Sequence, residues 1–193
     1  MANFAHIPGR PSAQNRPGSP WHLGHVIGLL LSDTPPSGSY TIEHVRPDGH
    51  HHSSVYFSRT NGTKWRVEPH DRDAPEISDG VTRFHLSGTT VVEHGTADAN
   101  LPLETHPAFP RYAFIWGRIP GDEWRFTEGV HQSGNTATAS LEHIRAPDRT
   151  ASLTVDIEHG LVLAMEADTC SFRVRDVKIR SVPPDFFLPP RET

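Results

Sequence analysis

A mainly β chain, with one large curled antiparallel sheet, is predicted by three features of the sequence. Roughly ten or eleven short segments alternate apolar and polar residues with period two. Turn dipeptides separate them at close spacing, and no helical pattern recurs between them, so the βαβ units of a parallel sheet are absent. A sheet of that many strands must curl, close or split into two layers. One apolar and one polar face per strand fits a half-barrel with a short N-terminal helix packed in its concave face.

Composition bounds the alternatives. The 193 residues suit one domain with a sizeable core and are short for two. Hydrophobic residues make up 35% and mean hydropathy is -0.51, low for a tightly filled globule but outside the disordered range. Net charge is -5, the pI is about 6.2, and the 18 basic residues form no dense cluster, which argues against a nucleic-acid partner. Only Lys64 and Lys178 are lysines. A single cysteine, Cys170, excludes an intramolecular disulfide and a Cys-based zinc site within one chain. Met1 to Arg16 has no apolar leader-like run, and Val26 to Leu31 is too short to span a bilayer, so the sequence as written predicts a cytoplasmic protein without a membrane span.

Taken in order, residues 1–19 read as a flexible arm broken by Pro8, Pro11, Pro17 and Gly18, and 20–190 as a single domain. Trp21, Leu23, Val26, Ile27, Leu30 and Leu31 follow helical spacing. Ser19 is the expected N-cap, Pro20 the first helical residue, and Asp33-Thr34-Pro35-Pro36 the stop. Strands follow from Tyr40 to Val45, and, across a Pro47-Asp48-Gly49 turn, from Ser54 to Arg59. Asn61-Gly62 turns that strand back into Lys64 to Glu68; its match to a glycosylation sequon is better explained as this hairpin. Glu76 to Ser78, the Asp79-Gly80 turn, Val81 to Leu86 and Thr89 to Glu93 continue the series. Gly95 to Pro110 is polar, holds three prolines and reads as a long loop, while Arg111 to Ile119 fits a short helix or a buried strand. The last third is β again: Trp124 to Val130, Thr136 to Ile144, Ala151 to Glu158, Leu161 to Glu166 and Ser171 to Arg180. A phase slip from Phe172 and Val174 to Val177 and Ile179 predicts a bulge near Asp176. Pro184-Asp185-Phe186-Phe187 reads as one helical turn plugging the open end of the sheet.

This order of elements resembles a known superfamily. A front helix precedes a hairpin run carrying Trp65-Arg66-Val67-Glu68 and then Ile77-Ser78-Asp79-Gly80. Near the end come Val155 to Leu163, the strand Phe172 to Ile179, and Pro184 to Pro189. The pattern is similar to the LolA-type lipoprotein-carrier superfamily, which includes lipid-carrying lipoproteins and the sensor domains of sigma-factor regulators. The resemblance spans about residues 20–190. It implies an unclosed β half-barrel capped by helices, whose concave apolar face binds acyl chains or senses lipoprotein, and it carries no catalytic signature.

His50 and His52 have the i, i+2 spacing of strand ligands, with His44 across the turn from them, but the cupin pattern is missing and a solvated turn is the blander reading; no metal or other cofactor is expected. His22 and His25 lie three apart on the predicted helix and project together toward the cavity, most simply as buried neutral imidazoles. Gly-x-Ser-x-Gly is absent, and a dyad of Cys170 with His143 or His159 is disfavoured by Asp168, which would raise the thiol pKa. No phosphate loop or dinucleotide fingerprint occurs. The aromatic residues reach nearly every element, so they either fill a core or line a pocket. The expected ligand-lining set is Trp21, His25, Tyr40, Phe57, Trp65, Phe84, Trp116 and Phe126, with no catalytic residues. The leading function is non-catalytic binding of a hydrophobic, lipid-like molecule or a partner segment in the concave face. The alternatives are an enzyme using His22, His25 or His44 as acid/base groups in the same cavity, and a regulatory protein-interaction module.

Overall fold

A computed structural model describes residues 22–32, 37–46, 49–60, 62–71, 74–88, 90–96, 101–112, 115, 123–168 and 171–190. Among these residues one helix, α1 (Leu23–Leu30), precedes eleven strands: β1 (Ser37–Arg46), β2 (Gly49–Ser58), β3 (Lys64–Pro69), β4 (Glu76–Ser78), β5 (Thr82–Ser87), β6 (Thr90–Thr96), β7 (Trp124–Ser133), β8 (Thr136–His143), β9 (Ala146–Asp156), β10 (Val162–Ala167) and β11 (Ser171–Ile179). They form a single sheet in the order β6-β5-β4-β3-β2-β1-β11-β10-β9-β8-β7, with every neighbouring pair antiparallel. The chain thus starts in the middle, meanders to one edge, crosses to the other and meanders back to lie beside β1. The sheet is unclosed, with β6 and β7 at its edges, and has the predicted curled half-barrel form with α1 in its concave face.

Period-two patterning explains which side each residue takes. On β1, Tyr40, Ile42 and His44 are buried inward; on β2, Val55 and Phe57; on β9, Ala151, Leu153 and Val155. Inward Ala137 and Ala139 on β8 are small and fully buried, and α1 packs over β7 and β8 there with Val26 and Leu30. Gly24 and Gly28 lower the intrinsic helicity of α1 by about 1 kcal/mol each. Its helicity therefore rests on tertiary contacts. The helix starts later than predicted. Ser19, Pro20 and the Asp33–Pro36 stop lie outside the described residues, and the N-cap is His22, whose extended backbone N–H donates to His25 Nδ1 at 3.3 Å.

Other expectations are corrected by the packing. The terminal turn Pro184–Phe187 forms, but it does not plug the sheet's open end. It lies against the convex face, where Phe187, Ile77 and Leu86 are buried with Tyr56 and Phe84 in a second cluster. The 95–110 loop carries a 3-10 turn at Leu103–Thr105 and delivers Ala108 and Phe109 to the core. A second 3-10 turn at Pro110–Tyr112 and the buried Ile115 represent the 111–119 segment, whose remaining residues lie outside the described set. His50 to His52 belong to β2 itself, because the turn before them is confined between Arg46 and Gly49. β9 begins five residues before its predicted start, since Ala146 pairs with His143 and Pro147 is absorbed where the register shifts.

The bulge near Asp176 is present. Ser39 pairs with Lys178 and Thr41 with Arg175, so two steps on β1 oppose three on β11. Asp176 takes φ 53, the one non-glycine residue in the left-handed region among those described. Beside it, a Cβ on Gly38 would stand 2.7 Å from the Lys178 carbonyl oxygen, so glycine is required where the two strands close up. Replacing Asp176 with valine, which resists left-handed backbone, is expected to cost about 1–2 kcal/mol in urea unfolding, with Asp176→Gly close to wild type. Equal stability of the two variants would mean that the bulge relaxes.

Candidate functional site

The concave face is the candidate site, and its own side chains fill it. Tyr40, Phe57 and Trp65 are 2%, 0% and 2% exposed, in a core shared with Val26 and Leu30 of α1 and with Phe109. Ring centroids are 6.0 Å apart for Tyr40 and Phe57, and 6.2 Å for Phe57 and Phe109, the latter edge-on. The strap 101–112 is fastened at several points. The Tyr40 hydroxyl donates to the Glu104 carbonyl at 2.8 Å, and the Val162 N–H donates to the Pro107 carbonyl at 3.1 Å. Burial holds the Tyr40 phenol well above its ordinary pKa, so it stays a neutral donor.

Arg59 joins strap to helix. Its Nε and Nη2 donate to the Ala108 carbonyl and its Nη1 to the Ser32 carbonyl at 2.9 Å, while Arg111 donates to the Leu31 carbonyl at 3.0 Å. The carbonyls left open at the C-terminal end of α1 are thereby met by cations, as the helix dipole favours. Nothing in the sequence pattern singled out Arg59, which sits one residue past a strand end. Phe109 was hidden in a segment whose prolines read as loop.

Of the eight expected lining residues, the structure brings together Tyr40, Phe57 and Trp65, with Phe126 half-buried against the same core from β7. Phe84 lies on the opposite face in the convex cluster. His25 is exposed, with His22 beside it at 5.7 Å between rings, so neither projects into the concavity. The buried stripe of α1 runs instead through Val26 and Leu30. Trp21 and Trp116 lie outside the described residues, as does Cys170.

The histidines do not converge. His44 is fully buried beside Phe172 and faces His51 across the hairpin; His50 and His52 are on the other face. His51 pairs with Asp71 at 3.2 Å, His50 lies 3.6 Å from Glu43, and His52 stacks on His70. Among the described residues no group of three or more His, Cys, Asp or Glu side chains is placed to hold a metal ion. His159 Nδ1 is 2.7 Å from Asp156, but its Nε2 faces Glu158, so the pair has a carboxylate on each side rather than a nucleophile.

Several cavities are lined by described residues. One of about 270 Å³ opens at the rim between Leu30, Arg59, Phe109, Arg111 and Tyr112. Another of about 250 Å³ is a groove among Glu43, Glu166, Arg173 and Arg175. A third, of about 160 Å³, lies under the C-terminal segment. All three carry charged or hydroxyl side chains on their walls. Among the described residues no helix is long and apolar enough to cross a membrane.

No protein-family model and no curated protein matches the chain. Solved structures do. The chain is similar to a crystal structure of MucB at 14% identity and a TM-score of 0.50, covering 86% of this chain and 62% of that one. It is also similar to the MucA/MucB complex of Pseudomonas aeruginosa at 15% identity and 0.50, covering 83% and 57%. The chain therefore spans about three-fifths of the MucB length it matches, and at this identity the likeness speaks to the fold. A LolA superfamily protein from Nitrosomonas europaea is matched at 12% identity and a TM-score of 0.40, covering 86% of this chain and 96% of that one. The chain shares its fold with the MucB structures it matches, and its single unclosed antiparallel sheet is the half-barrel form that the sequence resemblance implied.

His106, on the strap, links this packing to pH. Burial pushes its pKa down to about 4 from 6.5, against smaller upward pulls from the Leu101 carbonyl and Glu104. The unfolded chain therefore binds a proton that the folded chain refuses between those two values. Its contribution is fully present above pH 6.5 and is lost as pH falls toward 4, by roughly 3 kcal/mol for the full shift. Urea unfolding at pH 7.5 and pH 4.5 should show a smaller stability loss for His106→Leu than for wild type; equal losses would remove His106 from the account.

Proposed function

We propose that the chain is a non-catalytic binding module that holds an extended segment of a protein partner at its open sheet. The observation that carries this reading is the filled concave face: Tyr40, Phe57 and Trp65 are at most 2% exposed. A resident acyl chain requires an apolar volume of roughly 300 Å³ or more. The cavities among the described residues are smaller and have polar walls. An enzyme requires titratable groups that converge in a cavity, whereas the described histidines that meet do so in pairs, such as His22 with His25 and His52 with His70, all four exposed.

What the fold offers a partner is backbone. Among the described residues β6 is an edge strand whose residues are nearly all exposed, with Val92 at 63%. A free edge accepts an added strand through main-chain hydrogen bonds. The likeness to MucB supports the reading, since one of the matched structures holds MucB together with MucA. Hydrophobic-ligand carriage is the competing reading for a half-barrel of this type.

Native mass spectrometry of gently purified protein, compared with the denatured mass and followed by organic extraction, separates the two. A bare mass, with no uptake of a fluorescent fatty acid at micromolar protein, is expected. Stoichiometric extractable lipid would overturn the partner reading. In parallel, selection from a random peptide library should enrich extended, β-prone peptides whose binding falls at least tenfold in Val92→Lys, which places a charge on the free edge.

A further inference from the structure

Cross-strand register aligns three polar residues on the convex side of the sheet. Ser37 faces Ser58 across β1 and β2, and Ser58 faces Lys64 across β2 and β3. They share the face of Tyr56, two residues from Ser58 along β2, and so the face against which the C-terminal segment packs. Ser181, Val182, Pro184 and Phe187 close this row into the 160 Å³ cavity, with Thr60 also on its wall. At roughly 30 Å³ per water, that space holds one phosphate group with bridging waters and excludes an acyl chain.

Its chemistry is one-sided. Lys64 is the single charged residue on the wall, and no carboxylate lines the cavity. Among the described residues no ion pair or hydrogen bond engages the Lys64 ammonium. Other cations of this wing differ: Arg66, on the same strand, pairs with Glu68 at 2.7 Å, and Arg83, on β5, with Glu76 at 2.6 Å. Around Lys64 stand hydroxyls on two nearly buried serines, Ser37 at 8% and Ser58 at 7% exposed, and on Thr60 and Ser181. Ser37 donates to the Arg180 carbonyl at 2.8 Å, so it offers only lone pairs. Ser58 accepts from the Thr60 N–H at 3.3 Å, which leaves its own proton available. A half-buried lysine that shares a small cavity with several hydroxyl groups and no carboxylate is complementary to an anion with several acceptor oxygens.

We propose that this seam binds a phosphate-type oxyanion, as inorganic phosphate or as a small phosphomonoester, with Lys64 supplying the charge and Ser58, Thr60 and Ser181 the donors. Because the donors come from both the sheet and the C-terminal segment, occupancy ties residues 181–188 to β1–β3. Binding to the folded state alone raises stability in proportion to the logarithm of saturation.

The probe is inorganic phosphate, with sodium chloride at matched ionic strength as reference and glycerol phosphate to read the monoester. Phosphate is expected to raise Tm in a way that grows with the logarithm of its concentration from the millimolar range upward, and to slow tryptic cleavage after the exposed Arg180 at least threefold. Lys64→Gln should abolish both effects and Ser181→Ala weaken them, whereas Lys178→Gln, which removes the other lysine, should retain them. If Lys64→Gln fails to fold, Ser181→Ala and phosphorus NMR line broadening of phosphate by wild-type protein provide the same decision. A phosphate effect no larger than that of chloride, or an undiminished effect in the Lys64 or Ser181 variant, overturns the site.

Discussion

An open, bent sheet has one apolar face that must be covered, and nearly everything else in this structure follows from how that covering is fastened. The concave face is hydrophobic on every long strand, from Phe57 and Trp65 on one wing to Leu141 and Leu153 on the other. Left bare, it would expose far more contiguous apolar surface than a monomer sustains. The chain covers it with two short pieces, an eight-residue helix and the strap between the two sheet edges, neither of which is stable alone. Arg59 fastens them together. Its guanidinium meets carbonyls from both the strap and the end of α1, which a lysine's single ammonium would not do in one plane.

The topology makes that fastening necessary. Because β1 and β11 are central and β6 and β7 are the edges, the connection between edges has to pass across the mouth of the half-barrel. It carries Phe109 and Ile115 into the core on the way. A closed barrel would need neither the crossing nor the cover, and it would have no edges to offer. Among the described residues, the same openness leaves β6 with a paired strand on one side only.

The convex face is asymmetric. Over β2 to β5 it is covered by the C-terminal segment, through Phe187 packed on Ile77 and Leu86. Over β8 and β9 it is polar, with Thr138 and Thr154 in hydrogen-bonding distance at 3.2 Å. Tyr56, Arg66 and Phe186 show how the cover is held: the rings of Tyr56 and Phe186 are 4.7 Å apart, and the Arg66 guanidinium lies 4.7 Å over Phe186. This half of the sheet is therefore a layer with apolar contacts on both sides, and Phe84 and Phe57 belong to different cores although both sit in amphipathic strands.

The sequence by itself determined the strands, their antiparallel order of succession and the bulge at Asp176, because alternation with period two and turn chemistry are local and repeat at every strand. Which face an aromatic residue takes was legible where a strand alternates cleanly, as for Tyr40 and Phe57. It was not legible at Phe84, which alternates cleanly with Arg83 and His85 but whose apolar side is the convex one, covered by the C-terminal segment. Only the tertiary structure decided that the concavity is filled, that His22 and His25 face outward, and that His44 is separated from His50 and His52. Those outcomes rest on contacts between residues far apart in the chain: Arg59 with Ala108, Tyr40 with Glu104, Phe187 with Ile77. Spacing along a sequence reports the face of one element, and a site is made where the faces of several meet.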